Sequence, residues 1–215
     1  MTRKPDAAKL TVDALMAIQP VIPVVTVDRS EDAEPLGAAL VGAGLRVIEL
    51  VMRTEAAAEA IRRMSGIEGA IVGAGTVLSP TDFDVAMKAG ARFIVTPGLS
   101  SFIVEGARAA GVPILPGVCT ATEIMTGLSL GLDRFKFFPA EQAGGPAMLK
   151  ALHGPFGHVK FCPTGGVTER TAPDYLALPN VAVVGGGWIT PKALVDAKDW
   201  EKIADLAKTA AGLKR

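Results

Sequence analysis

Residues 21–52 read VIPVVTVDRSEDAEPLGAALVGAGLRVIELVM, and this stretch decides the predicted fold. Two runs rich in Val and Ile, VIPVVTV at 21–27 and RVIELVM at 46–52, flank a segment with helical apolar spacing over 31–41. Short continuous apolar runs bounded by turn residues are typical of buried parallel strands. The order strand, helix, strand therefore predicts one βαβ unit.

The same alternation continues along the chain. Between the apolar runs, helical patterns cover 55–64, 81–89, 101–110, 121–130 and 147–152. The eight runs recur every 19 to 25 residues and begin near Val21, Arg46, Ala70, Phe93, Val112, Arg134, Val159 and Val181. Eight strand–helix units predict an α/β fold of the (β/α)8 TIM-barrel type. A doubly wound open sheet is the alternative, but no G-x-G-x-x-G turn follows the first run.

We expect one domain over residues 1–215, with a short amphipathic helix at about 6–18 and the barrel at about 20–213, because no shift in composition marks a boundary. The apolar fraction of 49% and the formal net charge of zero exclude a disordered chain. The balance of 22 basic and 22 acidic residues leaves no basic excess for nucleic acid or anionic lipid. Two cysteines and the lack of a signal-peptide core or membrane-length apolar stretch predict a cytoplasmic protein.

Charged residues inside buried strands are rare, and two of them carry the chemical prediction. Glu49 lies within VIELVMR at 47–53, and Arg53 shares its strand parity. Lys136 lies within RFKFFP at 134–139, among aromatic residues, whereas Lys160 is close to the start of its run. A buried lysine can attack a carbonyl to form a Schiff base, and a nearby carboxylate can serve as general acid/base. A purely structural ion pair between Glu49 and Lys136, or between Glu49 and Arg53, is the alternative.

Glycine-rich turns end the seventh and eighth runs, at 163–166 and 185–187. In a (β/α)8 barrel, phosphate often binds between these two loops on backbone N–H groups. The sequence therefore favours phosphate binding over a purely structural role for these turns. His153 and His158 are the only histidines and have no carboxylate at ligand spacing, so we expect no metal site.

Several motifs together resemble the 2-dehydro-3-deoxy-phosphogluconate (KDPG) aldolase family, which includes the 4-hydroxy-2-oxoglutarate aldolases. The resemblance covers roughly residues 21–191, and the run FKFFPAE at 135–141 is its most specific part. The other motifs are Glu49 with Arg53-Thr54, Gly75-Thr76, Thr96-Pro-Gly98, Pro116-Gly117 with Thr120, Pro163-Thr-Gly-Gly166 and Gly185–Trp188.

The resemblance implies a metal-independent and cofactor-free class I aldolase, a cytoplasmic lyase of the Entner–Doudoroff pathway that is usually a homotrimer. It would cleave 2-dehydro-3-deoxy-6-phosphogluconate to pyruvate and glyceraldehyde 3-phosphate. A further candidate substrate is 4-hydroxy-2-oxoglutarate, which would give pyruvate and glyoxylate. Neither nucleic acid nor a membrane is an expected partner.

The resemblance also implies residue roles, with Lys136 as the Schiff-base lysine and Glu49 as the general acid/base. The implied substrate contacts are Arg53 and Thr76 at the pyruvate carboxylate, Thr164 near the hydroxyls, Pro97 and Phe138 around the substrate, and Gly165, Gly166, Gly186 and Gly187 at phosphate. The last strand motif departs from the family pattern, because familiar members carry Gly-Gly-Ser-Trp where this chain has Gly-Gly-Gly-Trp at 185–188.

Two other functions stay open at this stage. A phosphate-sugar isomerase or epimerase on the same barrel would use Glu49 as its base and need no imine at Lys136. A non-catalytic phosphate-metabolite binding protein would keep Glu49 and Lys136 as a structural pair.

Overall fold

A computed structural model describes residues 10–215 of the chain. Strands alternate with helices throughout, as the apolar runs predict. The strands are β1 Val21–Val25, β2 Val47–Val51, β3 Ile71–Gly75, β4 Ile94–Val95, β5 Ile114–Leu115, β6 Gly117–Val118, β7 Arg134–Phe137, β8 Lys160–Pro163 and β9 Val184–Gly186. The helices are α1 Val12–Ile18, α2 Ala33–Gly42, α3 Ala57–Ser65, α4 Pro80–Lys88, α5 Ser101–Ala110, α6 Ala121–Ser129, α7 Gly145–His153, α8 Ala172–Leu176, α9 Lys192–Asp196 and α10 Trp200–Ala211.

The strands form two parallel sheets. One sheet has six strands in the order β5-β4-β3-β2-β1-β9, and the other has three in the order β6-β7-β8. The prediction of an α/β fold with parallel strands is therefore confirmed. Within residues 10–215, neither sheet contains the eight strands of the predicted closed barrel, since one has six strands and the other has three.

A proline explains where the two sheets separate. The fifth apolar run contains Pro116, which has no N–H and cannot donate a strand hydrogen bond, so the run divides into β5 and β6. At the other end, the β8 segment reaches the β9 segment only through isolated bridges, Phe161 to Val181 and Thr164 to Gly185. Some strands are much shorter than the apolar runs that predict them, since β4, β5 and β6 each contain two residues.

The N-terminal helix begins later than predicted. Helix α1 starts at Val12, and the hydroxyl of Thr11 caps it by accepting a hydrogen bond from the N–H of Ala14. The predicted helix residues 6–9 lie outside the described residues. Leu15 and Met16 on the buried face of α1 pack against Ile22 and Phe93 in a cluster of their own, separate from the main core.

Capping boxes begin two of the helices. Ser79 and Thr120 form them with Asp82 and Glu123 at the starts of α4 and α6. Ser30, in contrast, lies in a 3-10 turn, and α2 begins only at residue 33. These caps fix the helix starts at the end of the sheets where the strands finish, which is the end that carries the site.

Candidate active site

The two charged residues predicted from the strand runs form a buried ion pair. Lys136 Nζ on β7 donates a hydrogen bond to Glu49 Oε1 on β2 over 2.8 Å. The side chains are 5% and 3% exposed, respectively. The Lys136 ammonium also lies 5.3 Å from the centre of the Phe138 ring, within range of a cation–π contact. Burial of both charges is costly unless they stay paired, so their positions are strongly coupled.

The neighbouring strand makes room for Glu49. All five residues of β2 are buried, and Val51 of β2 pairs with Gly75 of β3. A side chain at Gly75 would collide with the Glu49 carboxylate. The absence of a side chain at position 75 therefore allows the carboxylate to reach Lys136. The alternative pairing of Glu49 with Arg53 does not occur in residues 10–215.

Lys136 faces a cavity of about 420 Å³ at the ends of β1, β2, β7, β8 and β9. This size is within the range of small-molecule sites. The exposed Arg53 lies at its edge, and its guanidinium has no hydrogen-bond or ion-pair partner among residues 10–215. The remaining lining residues are Val24, Val51, Phe138, Pro139, Gln142, Thr164, Gly165, Gly166, Val167, Gly185, Gly187 and Trp188.

The loop after β8 has a conformation that favours glycine. Gly165 and Gly166 have φ angles of 100° and 78°, in the region that other residues rarely adopt. The N–H groups of Gly166 and Gly187 have no hydrogen-bond acceptor among the described residues, so both can donate to a ligand. Backbone N–H groups presented in this way suit an anion.

Two hydrogen bonds connect the loop after β8 and helix α8 with the loop after β7. The hydroxyl of Tyr175 on α8 donates to Glu141 Oε1 over 2.8 Å, and Glu141 N–H donates to the carbonyl of Gly165. Burial and the adjacent Glu141 carboxylate raise the pKa of Tyr175, so its hydroxyl stays a donor. Sequence patterns gave no signal for this contact, since the two residues are 34 positions apart.

Cys162 on β8 is the register partner of Lys136 and does not compete with it as a nucleophile. Burial, and to a smaller extent the Glu49 charge, raises the pKa of Cys162 to about 12. The thiolate is the reactive form of cysteine, so this thiol is inert near neutral pH. Lys136 is therefore the nucleophile that this part of the cavity offers.

Three of the predicted substrate-contact residues do not themselves line the cavity. Thr76 follows β3 and has a φ of 59°, which is unusual for a β-branched residue, and Pro97 follows β4. Gly186 packs under the ring of Trp188, where a side chain would collide with it. The roles predicted for these three residues therefore stay predictions.

The remaining predicted residues line the cavity or, in the case of Glu49, pair with a residue that lines it. Among the lining residues that sequence reasoning missed, Gln142 and Trp188 carry polar groups. Gln142 directly follows the run FKFFPAE, and Trp188 ends the motif Gly185–Trp188. Lys160, in contrast, donates to the carbonyl of Pro179 over 2.6 Å at the opposite ends of the strands, as predicted for a lysine near the start of its run. Within residues 10–215, no cluster of three or more His, Cys, Asp or Glu side chains could hold a metal ion.

Comparison with known proteins identifies the family. A family model described as KDPG and KHG aldolase matches residues 12–206. The chain belongs to the KDPG and KHG aldolase family. The 2-dehydro-3-deoxy-phosphogluconate aldolase of Zymomonas mobilis is 47% identical over 95% of this chain and 97% of its own length. The enzyme of the same name from Pseudomonas aeruginosa is 48% identical over 93% of this chain and 91% of its own length.

Solved structures of this aldolase family agree with the fold. A 2-keto-3-deoxy-6-phospho-gluconate aldolase from Zymomonas mobilis superposes with a TM-score of 0.92 at 46% identity, covering 96% of this chain and 98% of that one. The KDPG aldolase of Legionella pneumophila has a TM-score of 0.90 at 41% identity, covering 93% and 98%. The Legionella enzyme was captured with pyruvate as a covalent carbinolamine intermediate, which is the adduct of an amine with a carbonyl.

Proposed function

We propose that this chain is a metal-independent class I aldolase that cleaves 2-dehydro-3-deoxy-6-phosphogluconate to pyruvate and glyceraldehyde 3-phosphate. The observation that carries this proposal is the buried amine of Lys136, 2.8 Å from the carboxylate of Glu49 and facing a cavity of about 420 Å³. Neither an isomerase nor a binding protein needs an amine in this position. The relatives are named for the same substrate, and we infer that the reaction belongs to the Entner–Doudoroff pathway.

The reaction begins with proton transfer across the ion pair. Glu49 takes a proton from Lys136 Nζ, and the free amine attacks the C2 carbonyl of the substrate. The carbonyl oxygen becomes a hydroxyl by taking a proton from Glu49, and loss of water gives an iminium. Since both groups are buried, few water molecules compete for these protons.

The iminium then draws electrons from the bond that breaks. Glu49 accepts the proton of the C4 hydroxyl, the C3–C4 bond breaks, and its electron pair moves into the enamine. The C4 oxygen becomes the carbonyl of the released aldehyde. Glu49 returns a proton to C3, and hydrolysis of the imine frees pyruvate and regenerates the lysine.

The two ends of the substrate need separate anion contacts. Arg53, a guanidinium without a partner among residues 10–215, is suited to hold the pyruvate carboxylate in a fork. Thr76 would join it, and its φ of 59° supports this because strained residues cluster at functional sites. The N–H groups of Gly165, Gly166 and Gly187, together with the neighbouring Gly186, would contact phosphate.

The middle of the substrate would lie along the cavity wall. Thr164, which is 6% exposed, would contact the hydroxyls, and Phe138 and Pro97 would contact the carbon chain. Cleavage of 4-hydroxy-2-oxoglutarate releases glyoxylate, which carries no phosphate and needs none of the phosphate contacts. We therefore propose 4-hydroxy-2-oxoglutarate as a second substrate. Pyruvate would occupy the same position in both reactions.

We also propose that the two sheets close into one (β/α)8 barrel, which forms a single domain. Pro116 alone separates β5 from β6, so these two segments act as one strand, and the bridges at Val181 and Gly185 join β8 to β9. Among the helices of residues 10–215, none has both the length and the apolar character to span a membrane. The free thiols of Cys119 and Cys162 suit a cytoplasmic location.

An exposed apolar surface supports the proposal of a homotrimer. Leu78, Phe102 and Met125, which follow β3 or lie on α5 and α6, are 64%, 68% and 62% exposed. Exposed apolar side chains of this size are candidates for an association surface. We expect Phe102→Glu to dissociate the trimer in light scattering coupled to gel filtration, with Phe102→Leu as the control. A wild-type protein that elutes as a monomer contradicts the proposal.

The central experiment is borohydride trapping. The protein is treated with borohydride with and without pyruvate, and the intact mass and the peptide map are measured. One reduced pyruvyl adduct, placed on the peptide that holds Lys136, is the expected result. Lys136→Met should give no adduct, and Lys160→Met should give the wild-type amount, because Lys160 lies at the other ends of the strands.

The role of Glu49 is tested in the same assay. Glu49→Gln should form some adduct slowly and should lose most of its turnover, because the proton carrier is gone. Unchanged turnover in Glu49→Gln would refute the acid/base assignment. A folded wild-type protein without any adduct would refute the imine mechanism as a whole.

A further inference from the structure

The cavity that holds Lys136 offers few positive charges to a phosphorylated substrate. Among the described residues that line it, only Lys136 and Arg53 carry a cationic side chain. Lys136 is paired with Glu49 over 2.8 Å, and Arg53 is the group proposed above for the pyruvate carboxylate. A phosphate at the other end of the substrate must therefore bind to neutral donors, which are backbone N–H groups and the N–H or O–H groups of side chains.

The neutral donors on the lining side chains belong to Gln142, Thr164 and Trp188. The buried hydroxyl of Thr164 donates to the carbonyl of Cys162 over 3.3 Å. The ring of Trp188 packs against Gly186. Gln142, in contrast, is exposed, and its side-chain amide makes no hydrogen bond within residues 10–215. This amide is therefore free to donate to a ligand in the cavity.

The amide of Gln142 lies beside the loop after β8. A Cβ atom placed on Gly166 would be 3.4 Å from Gln142 Nε2, so the amide group is next to the Gly166 backbone. The N–H of Gly166 has no acceptor among the described residues. Because both residues line the same cavity, one anion can accept a hydrogen bond from each of them.

The residue before Gln142 is held in place from two directions. The N–H of Glu141 donates to the carbonyl of Gly165 over 3.0 Å, and the hydroxyl of Tyr175 donates to the Glu141 carboxylate over 2.8 Å. Glu141 is not one of the described residues that line the cavity, so its negative charge faces α8 and not the substrate. The backbone at Gln142 is thus anchored, while its side chain stays free to turn towards a ligand.

We propose that the side-chain amide of Gln142 donates a hydrogen bond to the phosphate of the substrate and so favours phosphorylated substrates. This inference rests on the aldolase function proposed above and names Gln142 as a specificity-determining residue of the same site. A hydrogen bond from an amide to a phosphate is charge-assisted and stronger than one between neutral groups. Since 4-hydroxy-2-oxoglutarate has no phosphate, Gln142 contributes nothing to its binding.

The test compares wild-type protein with three variants. Gln142→Leu removes the amide and keeps a side chain of similar size, and Gln142→Glu places a negative charge beside the phosphate. Ala151→Glu is the control, because it adds the same charge at an exposed position of α7 that does not line the cavity.

Two measurements separate the phosphate contact from the rest of the site. Values of kcat and KM are measured for cleavage of 2-dehydro-3-deoxy-6-phosphogluconate and of 4-hydroxy-2-oxoglutarate, with lactate dehydrogenase detecting the pyruvate. Borohydride trapping over a range of pyruvate concentrations gives a second, phosphate-free measure. The comparison therefore holds even in a protein that does not cleave 4-hydroxy-2-oxoglutarate.

The expected KM for the phosphorylated substrate is roughly three- to tenfold higher in Gln142→Leu, which loses one hydrogen bond, and more than about tenfold higher in Gln142→Glu, which adds repulsion. The kcat should not change, because the phosphate contact is the same before and during bond cleavage. The KM for 4-hydroxy-2-oxoglutarate and the pyruvate concentration at half-maximal trapping should match the wild type, as should every value in Ala151→Glu. Melting temperatures should differ by less than about 2 °C, because Gln142 is exposed.

Three results would overturn the inference while leaving the aldolase function intact. The first is an unchanged KM for the phosphorylated substrate in both Gln142 variants. The second is a rise in Gln142→Glu alone, which would place Gln142 near the phosphate without a hydrogen bond to it. The third is an equal rise in the pyruvate concentration needed for trapping, which would show that the substitutions disturb the whole cavity. A wild type that forms no pyruvate adduct would refute the proposed function and this inference together.

Discussion

Removing one member of the Lys136–Glu49 pair should destabilise the protein far more than removing both. At 2.8 Å and an effective dielectric constant of about 20, the Coulomb attraction is about 6 kcal/mol. Lys136→Met loses this attraction and leaves the Glu49 carboxylate, 3% exposed, without a counter-charge. We expect a loss of about 3–5 kcal/mol in the free energy of unfolding, which corresponds to a melting temperature about 6–20 °C lower.

The double variant Lys136→Met/Glu49→Gln removes both charges and should recover most of this loss. Urea unfolding at pH 7 of the wild type, both single variants and the double variant completes a double-mutant cycle. The reasoning predicts a coupling of several kcal/mol between the two positions. A single-variant loss below about 1 kcal/mol, typical of an exposed pair, would show that the pair is not buried in solution.

Three further predictions concern the surroundings of this pair. Gly75→Ala should lower kcat about 100-fold in a folded protein, because the new methyl group displaces the Glu49 carboxylate; unchanged kcat would contradict this steric argument. Burial raises the pKa of Cys162 to about 12, so only about one molecule in 10,000 carries the Cys162 thiolate at pH 8. Iodoacetamide should therefore label the half-buried Cys119 and leave Cys162 unlabelled, as measured by peptide mapping. Thr76→Gly should raise the free energy of unfolding by about 1–2 kcal/mol, because glycine adopts the positive φ without strain, and it should weaken pyruvate binding. A lower free energy of unfolding in this variant would refute the strain argument.

The order of strands and helices could be predicted from the sequence because each apolar run is a local signal. The run at 21–27 and the helical spacing at 31–41 give β1 and α2 within a few residues. Strand lengths and sheet closure could not be predicted in this way. They depend on hydrogen bonds between distant segments, as the division of the fifth run at Pro116 shows.

The central pair of the site could be predicted for a related reason. A charged residue inside an apolar run must have a partner, and Glu49 and Lys136 were the clearest such residues in the chain. The Thr190 hydroxyl, which has no hydrogen-bond partner among residues 10–215, and the contact of Tyr175 with Glu141 gave no such signal. Threonine and tyrosine are ordinary residues in a sequence, and only their three-dimensional surroundings make them unusual.

Several features that lower the stability of this fold lie at the end of the strands that carries the site, although buried Asn180 Oδ1 lacks a hydrogen-bond partner within residues 10–215 at the opposite end. The buried charges of Lys136 and Glu49 and the positive φ of Thr76 belong to β2 and β7 or to the turn after β3. The Thr190 hydroxyl, unpaired within residues 10–215, follows β9. At the opposite ends, Lys160 finds a carbonyl partner and α1 packs its apolar face against the sheet. Natural proteins keep unfavourable local features where function requires them. Because the buried charge pair and the positive φ of Thr76 lie at the site end, we expect substitutions that stabilise the protein at these positions to reduce activity.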